Sequence, residues 1–185
     1  MGPLMGQLMG HHFKRRVEPL CAWVLALAAV GVALVSQYRF DMQPCPWCVL
    51  QRLLFVLGAA VAGLELLALT AAHRWQPLAS KWLLAICQSA AGLRLLLATA
   101  GLTAALWQHF VAAAQASCQL TWADKVVAYT QLDARWPDLF QARASCLEAK
   151  AWLLGVPYEF WSAALFAFLA VGAGASLKPT AASKA

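Results

Sequence analysis

The sequence predicts an all-α membrane protein: a bundle of four transmembrane helices with two outward loops, the second long and carrying a short amphipathic helix. Its 185 residues are 62% hydrophobic and only 12% charged, which is too apolar for an ordinary soluble domain. Four segments are nearly free of charge, and each approaches the ~20 residues that cross a ~30 Å hydrocarbon layer as a helix. These segments are residues 17–38, 49–72, 82–107 and 159–177. Because helices satisfy their own backbone groups in lipid, residues 17–177 are expected to form one bundle.

The first helix is expected to follow a leader of residues 1–16, of which residues 1–13, MGPLMGQLMGHHF, look unstructured. Lys14, Arg15 and Arg16 precede the apolar run, as they would in a cleaved signal peptide. No A-x-A-type cleavage site followed by a soluble body is evident, however. The segment is therefore predicted to remain as a transmembrane helix.

The orientation follows from the lysines and arginines near the helix ends, which are enriched on the cytoplasmic side of membranes. One side carries unopposed basic residues, whereas the other carries basic residues offset by acidic ones. Both termini, including the tail 178–185, and the short middle loop are therefore predicted to be cytoplasmic. The net charge of +6 is then explained by the basic residues on the cytoplasmic side, and it does not indicate a nucleic-acid partner. The unopposed residues are Lys14, Arg15, Arg16, Arg74, Lys81, Lys178 and Lys184.

Cysteines fall into two populations. Of the six, Cys21 and Cys87 lie in apolar helices, where a lone cysteine usually behaves as a small hydrophobe. The other four lie in the two outward loops, at about residues 39–48 and 108–158. An even number of thiols in an oxidising compartment suggests two disulfides, but four cysteines allow three pairings. The loop cysteines are Cys45, Cys48, Cys118 and Cys146.

The motif PCPWCVLQR, residues 44–52, places a C-x-x-C pair at the start of the second helix. Proline suits a helix start because its missing N–H costs little there. The free N–H groups and the dipole of the first turn favour the thiolate form of Cys48. Arg52 follows one turn deeper on the same face and adds a fixed positive charge. The motif predicts a site that moves two electrons at the membrane surface.

The cysteines also allow two other interpretations. A zinc site is disfavoured because Cys118 and Cys146 are far apart in sequence and the nearest histidine, His109, is alone. No metal is therefore predicted. A purely structural bridge is disfavoured by Arg52, since an arginine at the membrane is expensive and usually functional.

Three further expectations concern the second outward loop and the helix interiors. Residues 120–136, LTWADKVVAYTQLDARW, are predicted to form a short amphipathic helix. It would lie either on the bilayer surface or, solvated, against the bundle. Glu65 and Arg94 are intramembrane charges predicted to face the bundle interior or to snorkel, with pairing between them as one arrangement.

Taken together, these motifs resemble the bacterial disulfide bond formation protein B (DsbB) family of quinone-linked inner-membrane thiol oxidases. The likeness covers about residues 17–177. It depends on PCPWCVLQR, on Cys118 after the third helix, on WPDLFQARASC (136–146) and on LLGVPYEFW (153–161).

The resemblance implies specific roles. Cys45 and Cys48 match the pair that passes electrons to quinone, with Cys48 as the thiolate beside the ring and Arg52 supporting both. Cys118 and Cys146 match the loop pair, in which Cys118 is attacked by the periplasmic oxidase DsbA. Ubiquinone is the expected cofactor, with menaquinone as the alternative. His109 is expected near the quinone headgroup, but its spacing to Cys118 departs from the family pattern, and an interfacial histidine is the other interpretation.

Two further functional classes stay open on the sequence. A vitamin K epoxide reductase-like enzyme would also move electrons between thiols and a quinone, but its C-x-x-C pair is expected late in the chain. A structural membrane protein stapled by disulfides would retain no quinone after purification. The expected location in every enzymatic case is the bacterial inner membrane, with the active-site loops in the periplasm.

Overall fold

The computed structural model describes residues 3–72, 80–114 and 121–177, which form seven α-helices and one small hairpin. The long helices are α1 (Pro3–Phe40), α2 (Pro46–Ala72), α3 (Ser80–Phe110) and α7 (Tyr158–Leu177). The second outward loop contains α4 (Trp122–Thr130), α5 (Leu132–Arg135), α6 (Pro137–Phe140), β1 (Trp152–Leu153) and β2 (Val156–Pro157).

The four long helices contain segments that are long and apolar enough to span a membrane. The prediction of a four-helix membrane bundle is therefore confirmed. Helix α2 packs against α1 and α3, and α3 packs against α7, which also touches α1. The four segments are Arg16–Phe40, Pro46–Ala71, Ala85–Phe110 and Tyr158–Leu177.

The leader differs from its prediction, because α1 already begins at Pro3. The expectation of an unstructured segment is therefore wrong for residues 3–13. Leucine and methionine recur in this segment and are good helix formers. Extending an existing helix costs far less than nucleating a new one, so the transmembrane helix continues through them.

The centre of the bundle is built from aromatic rings packed among small residues. The rings of Phe55 and Phe166 stack with their centroids 3.9 Å apart, and Ala26, Ala59 and Ala98 surround them. Small side chains let helices approach closely in lipid, where dispersion contacts drive association. This cluster fixes α1, α2, α3 and α7 around one axis.

A buried ion network joins the helices at the end of the bundle opposite the loop cysteines. Arg94 of α3 donates two hydrogen bonds to Glu18 of α1, at 2.7 and 2.6 Å, and lies 3.0 Å from Glu65 of α2. Arg94 and Glu65 are each only 5% exposed. The prediction that these two face the interior and pair is confirmed, and Glu18 is an additional partner that the sequence did not indicate.

The amphipathic helix of the second outward loop packs on the bundle. Thr121 and Asp124 form a capping box at the start of α4, which satisfies free N–H groups of the first turn. Val127 is buried against Val49 and Leu53 of α2, while Tyr129 on the opposite face is 90% exposed. Helix α4 therefore packs against the bundle, as one of the two predicted arrangements requires. It is shorter than the predicted 120–136, because Gln131 adopts a left-handed conformation (φ 53°) that ends it.

Candidate functional site

The loop between α1 and α2 is only residues 41–45, and it delivers Cys45 directly to the first turn of α2. Pro46 is the first residue of that helix, where its missing N–H leaves no hydrogen bond unmade. Cys48 lies within the first turn, as predicted. Its backbone N–H donates to the Cys45 sulfur at 3.4 Å, so the turn itself holds the two thiols together.

The second outward loop is tied to the first beside Cys45. The backbone N–H groups of Arg143 and Ala144 both donate to the carbonyl of Pro44, at 2.9 and 3.3 Å. Ser145 then caps a turn by donating to the Glu148 carboxylate from its N–H and its hydroxyl. These contacts bring Cys146 into one buried cluster with Cys45.

Cys45 occupies the middle of this cluster. It is fully buried, its sulfur lies 2.9 Å from that of Cys48, and it packs in one cluster with Cys146. A disulfide measures ~2.05 Å, so a small movement would join Cys45 to Cys48. One buried cluster therefore holds thiols from both outward loops.

The thiols of the two outward loops have opposite tendencies to ionise. Burial, together with the hydrogen bonds to Cys146 and Cys48, raises the pKa of Cys45 well above its usual value. The hydrogen bond from Cys45 lowers the pKa of Cys146, against the opposing effect of its burial. Cys45 is thus the proton donor of the pair, and Cys146 is the sulfur that more readily becomes a thiolate.

A cavity of about 380 Å³ lies beside Cys48, between α1, α2 and α7. Its deep walls are apolar and include Leu25, Phe55 and Leu165. Polar groups come from the outward ends of the helices, where Cys48, Gln51, Arg52, Gln108, Tyr158 and Glu159 line it. A mostly apolar cavity with a few convergent polar groups is typical of a small-molecule site.

Two glutamines connect the cavity to the Cys48 sulfur. The side-chain amide of Gln51 donates to Gln108 at 2.7 Å, and that of Gln108 donates to Cys48 at 3.2 Å. A hydrogen bond to sulfur favours the thiolate over the thiol. Gln108 was missed from the sequence, although it lies next to His109 in the WQHF segment.

Arg52 is held in place by three acceptors. Its guanidinium donates to the Gln37 side chain at 2.8 Å, to the Ala33 carbonyl at 3.2 Å and to the Leu139 carbonyl at 3.4 Å. Arg52 is only 6% exposed, so its charge enters the cavity wall in a fixed position. Neither Gln37 nor Leu139 was expected from the sequence to support it.

A second, larger cavity of about 1090 Å³ lies on the opposite face of α2. Trp47, Trp107 and Trp122 line it, and Cys146 lies in its wall. Cys48 borders the first cavity and Cys146 borders the second, while Cys45 borders neither. The cysteine cluster therefore bridges the two faces of α2.

His109, which is expected from the sequence to lie near the quinone headgroup, reaches the cavity only through a neighbouring side chain. His109 is not among the lining residues; its Nδ1 lies 2.7 Å from the Glu159 carboxylate, which does line the cavity. Cys118 lies outside the described residues. Within the described ranges, no group of three or more histidine, cysteine or acidic side chains is arranged to hold a metal ion.

Comparisons with known proteins agree with this architecture. The family model described as "Disulfide bond formation protein DsbB" matches residues 15–176. A disulfide bond formation protein B from Cupriavidus metallidurans is 26% identical over 75% of this chain and 78% of its own length. Another of the same name, from Dechloromonas aromatica, is 29% identical over 80% of this chain and 87% of its own. No solved structure gives a significant match. The chain therefore belongs to the DsbB family and is a multi-pass membrane protein of disulfide bond formation.

Proposed function

We propose that this protein is a quinone-dependent thiol oxidase that reoxidises a DsbA-like periplasmic partner and passes the electrons through two cysteine pairs to ubiquinone. The observation that carries the proposal is the position of Cys45, whose sulfur lies 2.9 Å from that of Cys48 and which shares one buried cluster with Cys146. Thiol–disulfide exchange requires a thiolate to reach a disulfide sulfur directly. A chain of contacts from the outer loop to the membrane cavity supplies that path.

The exchange steps balance with two disulfides in the starting protein. A partner thiolate attacks Cys118, forms a mixed disulfide and releases the Cys146 thiolate. Cys146 then attacks Cys45, forms a Cys45–Cys146 disulfide and releases the Cys48 thiolate beside the cavity. The second partner thiol breaks the mixed disulfide and frees Cys118. Cys118 then attacks Cys146, which re-forms the Cys118–Cys146 disulfide and releases Cys45. Cys45 and Cys48 are left reduced by two electrons.

The surroundings of Cys48 support this direction. Cys48 receives a hydrogen bond from Gln108 and lies in the first turn of α2, where the helix dipole favours an anion. The sulfur that is released beside the cavity is thus stabilised as a thiolate.

The cavity beside Cys48 fits a quinone by the chemistry of its lining. Arg52 and the glutamine amides can donate to ring carbonyls, and the apolar walls suit a ring and an isoprenoid tail. When bound, a quinone supplies a two-electron, two-proton acceptor that restores the Cys45–Cys48 disulfide. The family relationship and the four spanning helices support a location in the bacterial inner membrane, with the cysteine loops in the periplasm and both termini in the cytoplasm.

The test is stopped-flow absorbance of the purified protein mixed with reduced DsbA and a soluble ubiquinone. Native protein should reduce the quinone, Cys48→Ser should abolish reduction, and Arg52→Ala should weaken quinone use. Cys21→Ser, a cysteine on the exposed face of α1, is the matched control and should behave as native. If the native protein left the quinone oxidised and kept its disulfides intact, it would instead be a structural membrane protein whose loops are held by disulfides.

A further inference from the structure

Glu159 is a buried carboxylate with no part in the disulfide exchange. It is the second residue of α7, it is only 8% exposed, and it lines the cavity beside Cys48. A carboxylate in such a place is costly unless it is paired. Its partner is His109 of α3, whose Nδ1 lies 2.7 Å from Oε1 of Glu159.

His109 connects this carboxylate to the outward surface. It lies in the last turn of α3, and its side chain is 31% exposed compared with 9% for Glu159. The ring is fixed by edge contact with Phe110, with centroids 4.9 Å apart, and by Phe160 at 4.5 Å. The pair thus runs from a partly exposed imidazole to a carboxylate in the cavity wall.

Proton balance creates a need for such a connection, if the proposed function holds. Closing the Cys45–Cys48 disulfide sends two electrons to an acceptor that must also gain two protons. Cys48 acts as a thiolate, so its proton has already left before the electrons move. At least one proton therefore has to reach the cavity from another group.

We propose that Glu159 and His109 are the proton relay of this cavity. His109 takes up a proton at the outward surface and passes the Nδ1 proton to Oε1 of Glu159. Glu159 then presents a carboxyl proton to the cavity. Imidazole and carboxyl groups within hydrogen-bond reach are the usual proton carriers near neutral pH.

Few other groups on the cavity wall can take this role. The titratable or charged side chains that line it besides Glu159 are Cys48 and Arg52 of α2 and Tyr158 of α7. The lining residues from α1, from α3 and from the hairpin carry no charge. Arg52 stays protonated, and Cys48 is the electron donor. Tyr158 shares a hydrogen bond with Ser36 of α1, and imidazole and carboxyl groups are the more usual proton carriers near neutral pH.

The test compares Glu159→Gln and His109→Asn with the native protein. Glutamine keeps the size of Glu159 and its hydrogen bond but carries no exchangeable carboxyl proton. The rate of ubiquinone reduction at saturating quinone should fall about 10²-fold and lose its native pH profile. Ubiquinone affinity, measured by tryptophan fluorescence, should stay within about twofold of native. Redox-difference infrared spectra should lose a carboxyl C=O band in Glu159→Gln.

Asp138→Asn is the matched control, because Asp138 is an outward-loop carboxylate whose side chain is 74% exposed; it should behave as native. A native rate in both variants would overturn the relay. So would a slower rate with weaker quinone binding and an unchanged pH profile, which would make Glu159 a positioning residue. Should Glu159→Gln fail to fold, His109→Asn alone decides by the same readouts. Failure of the native protein to reduce quinone would overturn the proposed function instead.

Discussion

At the scale of single residues, Cys45 determines how its neighbours ionise. It is fully buried and holds its own proton, since burial raises its pKa. In the reduced protein, the interaction with the protonated Cys45 lowers the pKa of Cys146. A lowered pKa means a larger thiolate fraction at neutral pH, and the thiolate is the reactive form.

Removing this donor should make Cys146 less reactive. In reduced protein at pH 7, we expect Cys45→Ala to slow alkylation of Cys146 by roughly 3-fold, because the pKa of Cys146 returns toward its usual value near 8.5. Mass spectrometry of the Cys146 peptide after iodoacetamide pulses would measure this. Cys45→Ser keeps a hydroxyl donor and should lie closer to native; equal rates in all three proteins would contradict the assignment of the donor.

At the scale of elements, α2 was predicted well because its motif is local. PCPWCVLQR predicted the helix start, the proximity of Cys45 to Cys48 and a charge at Arg52 one turn deeper, all from local spacing. Gln108, Gln37 and Glu159 could not be found in this way. Each meets its partner across a helix interface, and which faces meet is decided by packing over the whole bundle.

The α3–α7 interface depends on a close approach at Gly101. A Cβ atom placed there would lie 2.3 Å from the ring of Phe166, so we expect Gly101→Ala to destabilise the bundle by ~1–3 kcal/mol through overpacking. Unfolding in mixed detergent micelles, followed by circular dichroism, would measure the change.

Gly92 provides the control on the same helix, because a Cβ there meets no atom within 4 Å. Gly92→Ala should be neutral or stabilising by up to ~1 kcal/mol, since alanine is the better helix former. If both substitutions had the same effect, the loss in Gly101→Ala would come from helix propensity and not from contact with Phe166.

At the scale of the whole molecule, the bundle carries its chemistry at one end and an ion network at the other. Glu18, Arg94 and Glu65 link α1, α3 and α2, and Ser176 of α7 donates to Glu18 at 3.3 Å. The sequence predicted that Glu65 and Arg94 would face inward because charges in lipid are costly. It did not indicate Glu18, because an acidic residue so close to the basic leader is typical of an ordinary charge at a helix end.

Removing only the cation of this network should destabilise the protein far more than replacing all three charged side chains. We expect Arg94→Leu to lower the free energy of unfolding by ~3–5 kcal/mol, since the buried Glu65 would lose its cation, as would Glu18, whose side chain is 24% exposed. The triple variant with leucine at Glu18, Glu65 and Arg94 should regain most of that loss. Detergent unfolding curves of the three proteins would show it, and a triple variant as unstable as Arg94→Leu would contradict this account.

The ion network also has a consequence for biogenesis. Because synthesis proceeds from the N-terminus, α1 and α2 reach the bilayer before α3, each bringing one carboxylate. An unpaired carboxylate in the hydrocarbon opposes insertion, by roughly 2.5–3.5 kcal/mol at the centre of a helix and by less toward its ends, and that cost persists until Arg94 emerges. A nascent chain that stops after α2 is therefore held less firmly than the complete bundle, and the arrival of α3 strengthens the insertion of all three helices.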